Sequence, residues 1–492
     1  MDLTFQVKDR PKPKQLIVFA LQQLLAIMAA TIAVPAIVGH DMQASAALFG
    51  AGVGTIVYLL FTQFKSPVFL GSSFAFLGSM AAAFAGGVSA STGYLGLIIG
   101  AALAGLVYVV IAVVVKFCGT GWINKLMPAV VIGPTVAIIG LSLAGNAIGD
   151  LFTGKVTEEV FSHVLYKTSD VPQDLVGNII ATIGDESIVN VSSQSMVCSK
   201  YIALICGLVT LGATVIASVY GKKFMKMIPF VIGILAGYVV ASIFTVIGIL
   251  ADCNTLKIID FTTFKAVADG SSWYPNFTFI TAFSGNYDFA GGNFGSYLGT
   301  IAVAYIPVAF VVFAEHIADH KNLSSIIGEE LLEDPGLHRT LLGDGVGSIA
   351  GAFFGGCPNT TYGESVGCVA ISGNASVITI LVTACMAIVI SFLAPFSIFL
   401  ATIPNCVMGG VCVALYGFIA VSGLKMIQDV DLNKKHNLFV VSVILIAGVG
   451  GMSLTFGKTT ITEVACALIL GILTNLMCLP YRNKYDARKA QE

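Results

Sequence analysis

Residues 357–367 read CPNTTYGESVG, and they interrupt one of the oiliest parts of the chain. IAGAFFGG (349–356) precedes them and ITILVTACMAIVISFLA (378–394) follows. A proline, an asparagine, two threonines, a Tyr-Gly pair and the carboxylate of Glu364 are poor material for a helix in hydrocarbon. The frame around them is clear from composition. The 492 residues are 56% hydrophobic and 11% charged, with mean hydropathy +0.90. Soluble domains carry about 25% charged residues, so a water-exposed globule is excluded. Apolar runs near the ~20 residues needed to cross a bilayer recur from end to end. The fold class is an all-α polytopic membrane protein, with the lipid bilayer as its solvent.

Working outward, fourteen apolar segments can be traced, the first at 16–36 and the last at 460–479. The segment LIVFALQQLLAIMAATIAV (16–34) follows Lys8, Arg10, Lys12 and Lys14, but it carries two Gln and leads into further spans. It reads as the first span rather than a signal peptide. If both ends lie in the cytoplasm, nineteen of the 25 Lys and Arg residues fall on the inner side. Lys155, Lys167, Lys200, Lys257, Lys265 and Lys458 fall outside, among acids such as Glu158, Asp170, Asp174 and Asp185. This is the expected positive-inside bias, and a miscounted span would scramble it. The outer side also holds polar insertions at 149–200 and 250–296, with sequons at Asn190-Val-Ser192 and Asn276-Phe-Thr278.

The eleven cysteines are scattered, mostly in apolar segments, without CxxC or metal-ligand spacing. They read as packing residues, although Cys198 and Cys253 sit in polar loops and could pair there. No metal or other cofactor is expected, and no basic patch points to nucleic acid.

The chain echoes itself. LMPAVVIGPTVAIIGLSLAG (126–145) matches TIPNCVMGGVCVALYGFIAVSG (402–423), with Pro128/Gly133 against Pro404/Gly409, 276 residues apart. PVFLGSSFAF (67–76) and PNTTYGESVG (358–367) are similarly spaced, Phe74 and Glu364 lying 290 apart. A repeat of seven spans is odd in number, so its second copy is inverted, which is a recurrent plan of secondary transporters. Each interrupted segment starts with Pro and a short extended run before a helix begins. Non-helical backbone at membrane depth must be partnered within the protein. Two short antiparallel strands, in spans 3 and 10, would partner each other, and the half-helices behind them would aim N–H groups at a cavity. The alternative is a pair of Gly/Pro kinks that merely help helices pack.

Few ionisable groups fall within the spans. YIPVAFVVFAEHIADHKNL (305–323) carries Glu315, His316, Asp319 and His320, and Glu364 follows Gly363. A carboxylate at the bilayer centre costs roughly 2.5–3.5 kcal/mol on insertion scales, so such groups usually face a cavity and have a task. Glu315 and Asp319 share a helical face, with His316 and His320 on the adjacent one. Asp319 and His320 also fall toward the inner end of the run, where charges snorkel to water. His-x-x-x-His on a helix can hold zinc, but the pattern has no third ligand.

FAEHIADH, LLEDPGLHRTLLGDGVGSIAGAFFG, PNTTYGESVG and FLGSSFAF together resemble the uracil permeases of the nucleobase–cation symporter, or nucleobase–ascorbate transporter, family. The resemblance runs over roughly 14–480 and is weakest in the outer loops. It implies fourteen spans in two inverted repeats: 1–250 (spans 1–7), an outer loop at 251–296, 297–480 (spans 8–14) and a cytoplasmic tail at 481–492. Spans 1–4 and 8–11 would form a core domain and spans 5–7 and 12–14 a gate. It further implies a homodimer in the plasma (inner) membrane that takes up uracil with protons. By position, Glu315 and Glu364 would hold the base, backbone N–H groups near Phe74 and Gly363 would meet its carbonyls, and Ser73, Phe74, Tyr362 and Tyr416 would shape the pocket.

The residues support that chemistry on their own terms. Uracil alternates two N–H donors with two C=O acceptors, so carboxylates and half-helix N-termini match it in turn. An aromatic wall would cover the ring. There are departures from the family pattern. Gln22-Gln23 stands where relatives have Gln-His, Asp319 replaces a His one turn after the first glutamate, and Gly373 replaces a basic residue. Glu315, Asp319 and Gln23 are therefore the proton-coupling candidates, with Na⁺ as the alternative ion. Other readings are a xanthine or broader nucleobase carrier, an anion exchanger, a non-transporting base sensor, and an intramembrane metalloenzyme.

Overall fold

The computed structural model describes residues 3–167, 179–183, 186–265, 274–289, 292–428, 430–456 and 459–489. Asp170, Asp174, Asp185 and Lys458, assigned above to the outer side, lie outside the described residues. The long helices are α1 (Pro13–Val38), α2 (Ala44–Phe61), α3 (Leu77–Ala83, shorter), α4 (Ala90–Cys118), α5 (Ala129–Ser142), α6 (Lys200–Val219) and α7 (Pro229–Leu250). They are followed by α8 (Phe294–Ile327), α9 (Leu337–Gly355), α10 (Gly363–Ser372), α11 (Val377–Ser391), α12 (Asn405–Ile427), α13 (Lys435–Val449) and α14 (Glu463–Lys489).

Among the described residues, nine helices are long and apolar enough to cross a membrane. A tenth span results if α11 and Ala394–Thr402, which meet at 84°, are counted as one. Residues 396–423, one of the fourteen apolar segments traced in the sequence, are therefore not a single helix. Pro404 caps the start of α12 and lacks the N–H a continuous helix would need, so the chain breaks between Thr402 and Asn405.

Helix ends follow local rules. The 34-residue α8 opens with a capping box, Asn293 accepting from Ser296 N–H while Asn293 N–H donates to Ser296 Oγ. Left-handed glycines close α8 at Gly328, α9 at Gly356 and α10 at Gly373.

The two interrupted segments meet. Strand β1 (Leu70–Ser72) pairs antiparallel with a strand at Asn359–Thr361, with Leu70 opposite Thr361, Gly71 opposite Thr360 and Ser72 opposite Asn359. Three strands of a separate sheet fall between them in sequence: β2 (Thr157–Lys167), β3 (Ile179–Ile183) and β4 (Glu186–Met196), ordered β2-β4-β3. The 359–361 strand is therefore β5, and a final hairpin joins β6 (Leu454–Phe456) to β7 (Thr459–Ile461). Ser73 N–H to Pro358 O (2.9 Å) and Tyr362 N–H to Phe69 O (3.3 Å) extend the β1–β5 ladder at both ends. Side chains complete it: Leu70 N–H donates to Thr55 Oγ1 (2.9 Å) and Phe69 N–H to Ser365 Oγ (3.1 Å). Extended backbone deep in an apolar fold thus finds its partners within the protein, as hydrocarbon requires.

The strand pair sits over the crossing of α2 and α9, which are in backbone contact. A Cβ on Gly50 would fall 2.5 Å from Gly351 O, and one on Gly54 would fall 2.7 Å from Gly347 O and closer still to the Asn359 amide. That amide donates to Gly50 O (3.1 Å), tying β5 to α2. Small residues four apart on both helices permit this approach. Gly54→Val has no space to relax into, because backbone and the Asn359 amide block it. We expect a loss of about 3 kcal/mol, read as a lowered melting temperature of the purified protein. A melting temperature equal to wild type would refute the close crossing.

All eleven cysteines are free. Cys198 and Cys253 do not pair: Cys198 packs against Gly154 and Cys253 Sγ lies 3.1 Å from Thr255 Oγ1.

Candidate functional site

The half-helices behind the strands bound a cavity of about 250 Å³. That is below the ~300–1,000 Å³ of drug-sized pockets and suits one small ligand. Three elements place polar groups in it. On α8, Glu315, Asp319 and Asn322 form one stripe at helical spacing and all line the cavity. Tyr362 is extended (φ −103, ψ 120) immediately ahead of α10, so the Gly363 and Glu364 N–H groups belong to an unpartnered first turn. Gly363 is open to the cavity and Glu364 half-buried. Phe74 starts a 3-10 turn (Phe74–Phe76) that leads from β1 into α3. Two positive helix ends and three carboxylates therefore converge on one space.

The opposite wall is apolar. Val136 of α5, Phe230 of α7 and Phe418 of α12 face the acidic side. Ser218, Lys226 and Met227 complete the lining.

Glu315, Asp319, Gly363, Glu364, Phe74 and Tyr362 are thus brought together as the sequence led us to expect. Ser73, Tyr416 and Gln23 do not line the cavity. Ser73 is fully buried and absent from the lining, since consecutive residues of extended backbone point to opposite sides. Tyr416 packs edge-on against Phe74 at 5.4 Å and buttresses it from behind. Two residues along a helix is a rotation of about 200°, so Phe418, not Tyr416, presents its ring to the cavity. Gln23 has no direct view of the cavity; its Nε2 donates to Ser365 Oγ (2.5 Å), which also accepts from Phe69 N–H. The side chain clamps the turn that carries Glu364 to β1.

Asp319 and His320 do not mark a helix end, because α8 runs on to Ile327 and both are buried. Asp319 Oδ2 accepts from Thr361 Oγ1 (2.8 Å), which links α8 to β5 beside Gly363. His316 and His320 point away from the cavity and stack at 4.0 Å. His316 Nδ1 meets Asp344 Oδ2 (2.8 Å) and its Nε2 meets Thr340 Oγ1 (3.0 Å). His320 Nδ1 meets His316 O (2.8 Å) and its Nε2 meets Tyr58 OH (2.7 Å). All four ring nitrogens are committed to protein partners, which leaves none for zinc. Asp344 was not singled out from sequence; Asp in a glycine-rich GDG run reads as a turn until the partner helix is seen.

A second cavity of about 1180 Å³ is lined by Asp41, Gln43, Asn146, Lys155, Asn276 and Met408 among others, and shares no lining residue with the first. Burial lowers the Lys155 ammonium below its ordinary pKa.

A model described as "Permease family" matches residues 14–172 and 174–456. The chain belongs to this permease family. It is 36% identical over 480 residues to the uracil permease of Bacillus caldolyticus, covering 97% of this chain and 94% of that protein. It is 34% identical over 490 residues to the uracil permease of Bacillus subtilis (strain 168), covering 99% and 97%. The uracil permease of Escherichia coli (strain K12) is 32% identical over 473 residues, covering 96% and 93%. Among solved structures, the transmembrane domain of the cyanobacterial bicarbonate transporter BicA aligns with TM-score 0.58 at 15% identity, covering 95% of this chain and 99% of that one. SLC26A9 aligns with TM-score 0.60 at 13% identity, covering 96% and 66%. These two likenesses concern the fold. Membership in a permease family makes this chain a multi-pass transporter and not an enzyme.

Proposed function

We propose that the chain is a secondary active transporter that takes up uracil by proton symport. The observation that carries the reading is the convergence of Glu315, Glu364 and the Gly363 helix end on one small cavity walled by Phe74, Phe230 and Phe418. A neutral ring with alternating donors and acceptors satisfies those groups in turn: the carboxylates accept from its N–H groups and the half-helix ends donate to its carbonyls. The uracil permeases among the relatives support the same substrate. An anion would meet three carboxylates instead.

In this reading fourteen spans form two inverted repeats of seven, with both termini cytoplasmic in the plasma (inner) membrane. Helices α1–α4 and α8–α11 are the core and α5–α7 and α12–α14 the gate. Extensive packing of α2 and α4 on α9, and of α5 and α6 on α12, supports that division. Core and gate would move against one another, alternately opening the small cavity inward past Lys226 and the large one outward past Lys155. Asp319 would carry the coupling proton, and the protein would work as a homodimer.

The test is uptake of radiolabelled uracil into proteoliposomes under an inward proton gradient, with Na⁺ varied and with Glu315→Gln and Glu364→Gln alongside. Gradient-driven accumulation that both substitutions abolish is the expected result. Binding without accumulation under either ion gradient would overturn the symport assignment. Absence of both binding and uptake would overturn the substrate.

A further inference from the structure

The segment ahead of α1 is tied down. Thr4 N–H and Phe5 N–H both donate to Gly373 O (2.7 and 3.1 Å), Ala375 N–H donates to Phe5 O (2.9 Å), and Val377 N–H donates to Val7 O (3.1 Å). Ser376 Oγ donates to Asp9 O (2.6 Å). Phe5 and Asn374 form a parallel bridge, and the Phe5 ring meets Phe19 of α1 edge-on at 5.9 Å. Val7 is buried, at 2% exposure. Gln6 N–H to Asp9 Oδ2 (2.7 Å) closes the turn that leads into α1.

What this segment grips is the far end of the helix that carries Glu364. Gly373 (φ +69) caps α10, its N–H bonded to Val369 O (2.9 Å). Residues 373–376, which join α10 to α11, are non-helical, and Ala375 and Ser376 are almost fully buried. Backbone polar groups so placed need protein partners, and Thr4, Phe5 and Val7 supply them. Helix α10 has only ten residues, a rod of about 15 Å. Movement at Gly373 is therefore transmitted along the axis to Gly363 and Glu364. Gln23 and Ser365 hold the near end, and the segment 4–9 holds the other.

We propose that Thr4–Asp9 is a positioning strap that sets how far α10 projects its Gly363 N–H and Glu364 into the cavity. The inference rests on the reading of Glu364 as a uracil-binding group. Two variants probe it in the full-length transporter. Deletion of residues 2–9 removes the strap, and Thr4→Pro removes one donor while leaving the segment in place; Thr4→Ser, which keeps that donor, is the control. Hydrogen–deuterium exchange of peptides covering 363–377 is measured together with the half-saturating uracil concentration and the maximal uptake rate per folded protein.

The deletion is expected to speed exchange across 363–377 and to raise the half-saturating concentration about three- to tenfold, the scale of one net hydrogen bond. The maximal rate should stay close to wild type, Thr4→Pro should shift both readouts less in the same direction, and Thr4→Ser should shift neither. A peptide of residues 1–10 added to the deletion variant should restore both. Unchanged exchange in the deletion, or faster exchange with no change in half-saturation, would overturn the proposal. If the deletion does not fold, Thr4→Pro decides by the same criteria. If wild type binds no uracil, the substrate reading has failed, and the exchange measurement still decides whether the strap holds α10.

Discussion

Glu364→Gln weakens uracil binding by about 100-fold. A hydrogen bond to a charged group contributes roughly 1.5–3 kcal/mol, which is about tenfold to 150-fold in affinity. The substitution belongs at the upper end because it does more than remove charge. An amide offers one acceptor and one donor where the carboxylate offered two acceptors, and its N–H₂ then opposes an N–H of the ring. Glu364 stands at the start of α10 and lines the cavity of about 250 Å³, where a bound ring displaces the water that would otherwise make up the loss. Glu364→Asp keeps the charge but withdraws it by one methylene and should fall between. Equilibrium binding of radiolabelled uracil to purified protein, with melting curves as the folding control, reads the effect. A change below about threefold, less than one net neutral hydrogen bond would give, would remove Glu364 from the site.

Asp319→Asn abolishes uphill accumulation while leaving uracil binding and counterflow in place. One pH unit corresponds to about 1.4 kcal/mol, so coupling one proton to each uracil permits about tenfold accumulation per unit of gradient. The proton enters from the acidic side with the substrate, so wild-type uptake should rise as the outside is acidified and fall as it is made alkaline. Asp319 suits this role by position: it lines the cavity, accepts from Thr361 Oγ1, and stands beside Gly363. Asn keeps an acceptor for Thr361 but cannot exchange a proton. Loaded vesicles should then equilibrate without concentrating uracil, whatever the pH gradient. Accumulation that survives the substitution would place the proton elsewhere, with Glu315 and the His316–Asp344 pair as the next candidates. Accumulation that follows Na⁺ and ignores pH would replace the proton altogether.

The site was legible in sequence to the extent that cost marks function. Glu315, Asp319 and Glu364 stand out because ionisable groups in apolar spans are too expensive to be there without a task. The facing strands could be anticipated from two Pro-led interruptions, since unpaired backbone at that depth has few other outcomes. The aromatic wall was less readable. Tyr416 and Phe418 sit on the same apolar helix, and without the neighbouring chain nothing selects which side faces the cavity. The same holds for Gln23, whose partner Ser365 is 342 residues away in sequence.

Composition and hydrophobic run length determined by themselves that this chain lives in a bilayer as a bundle of helices, because both are set by solvent and not by neighbours. Charges buried in oil and prolines within spans likewise marked where the bundle departs from plain helix. Only the tertiary structure decided which face each helix turns inward, that His316 and His320 serve a buried network behind the site, and that the segment 4–9 holds the far end of α10. Those outcomes depend on contacts between residues hundreds of positions apart, and local sequence carries no record of its partner's geometry.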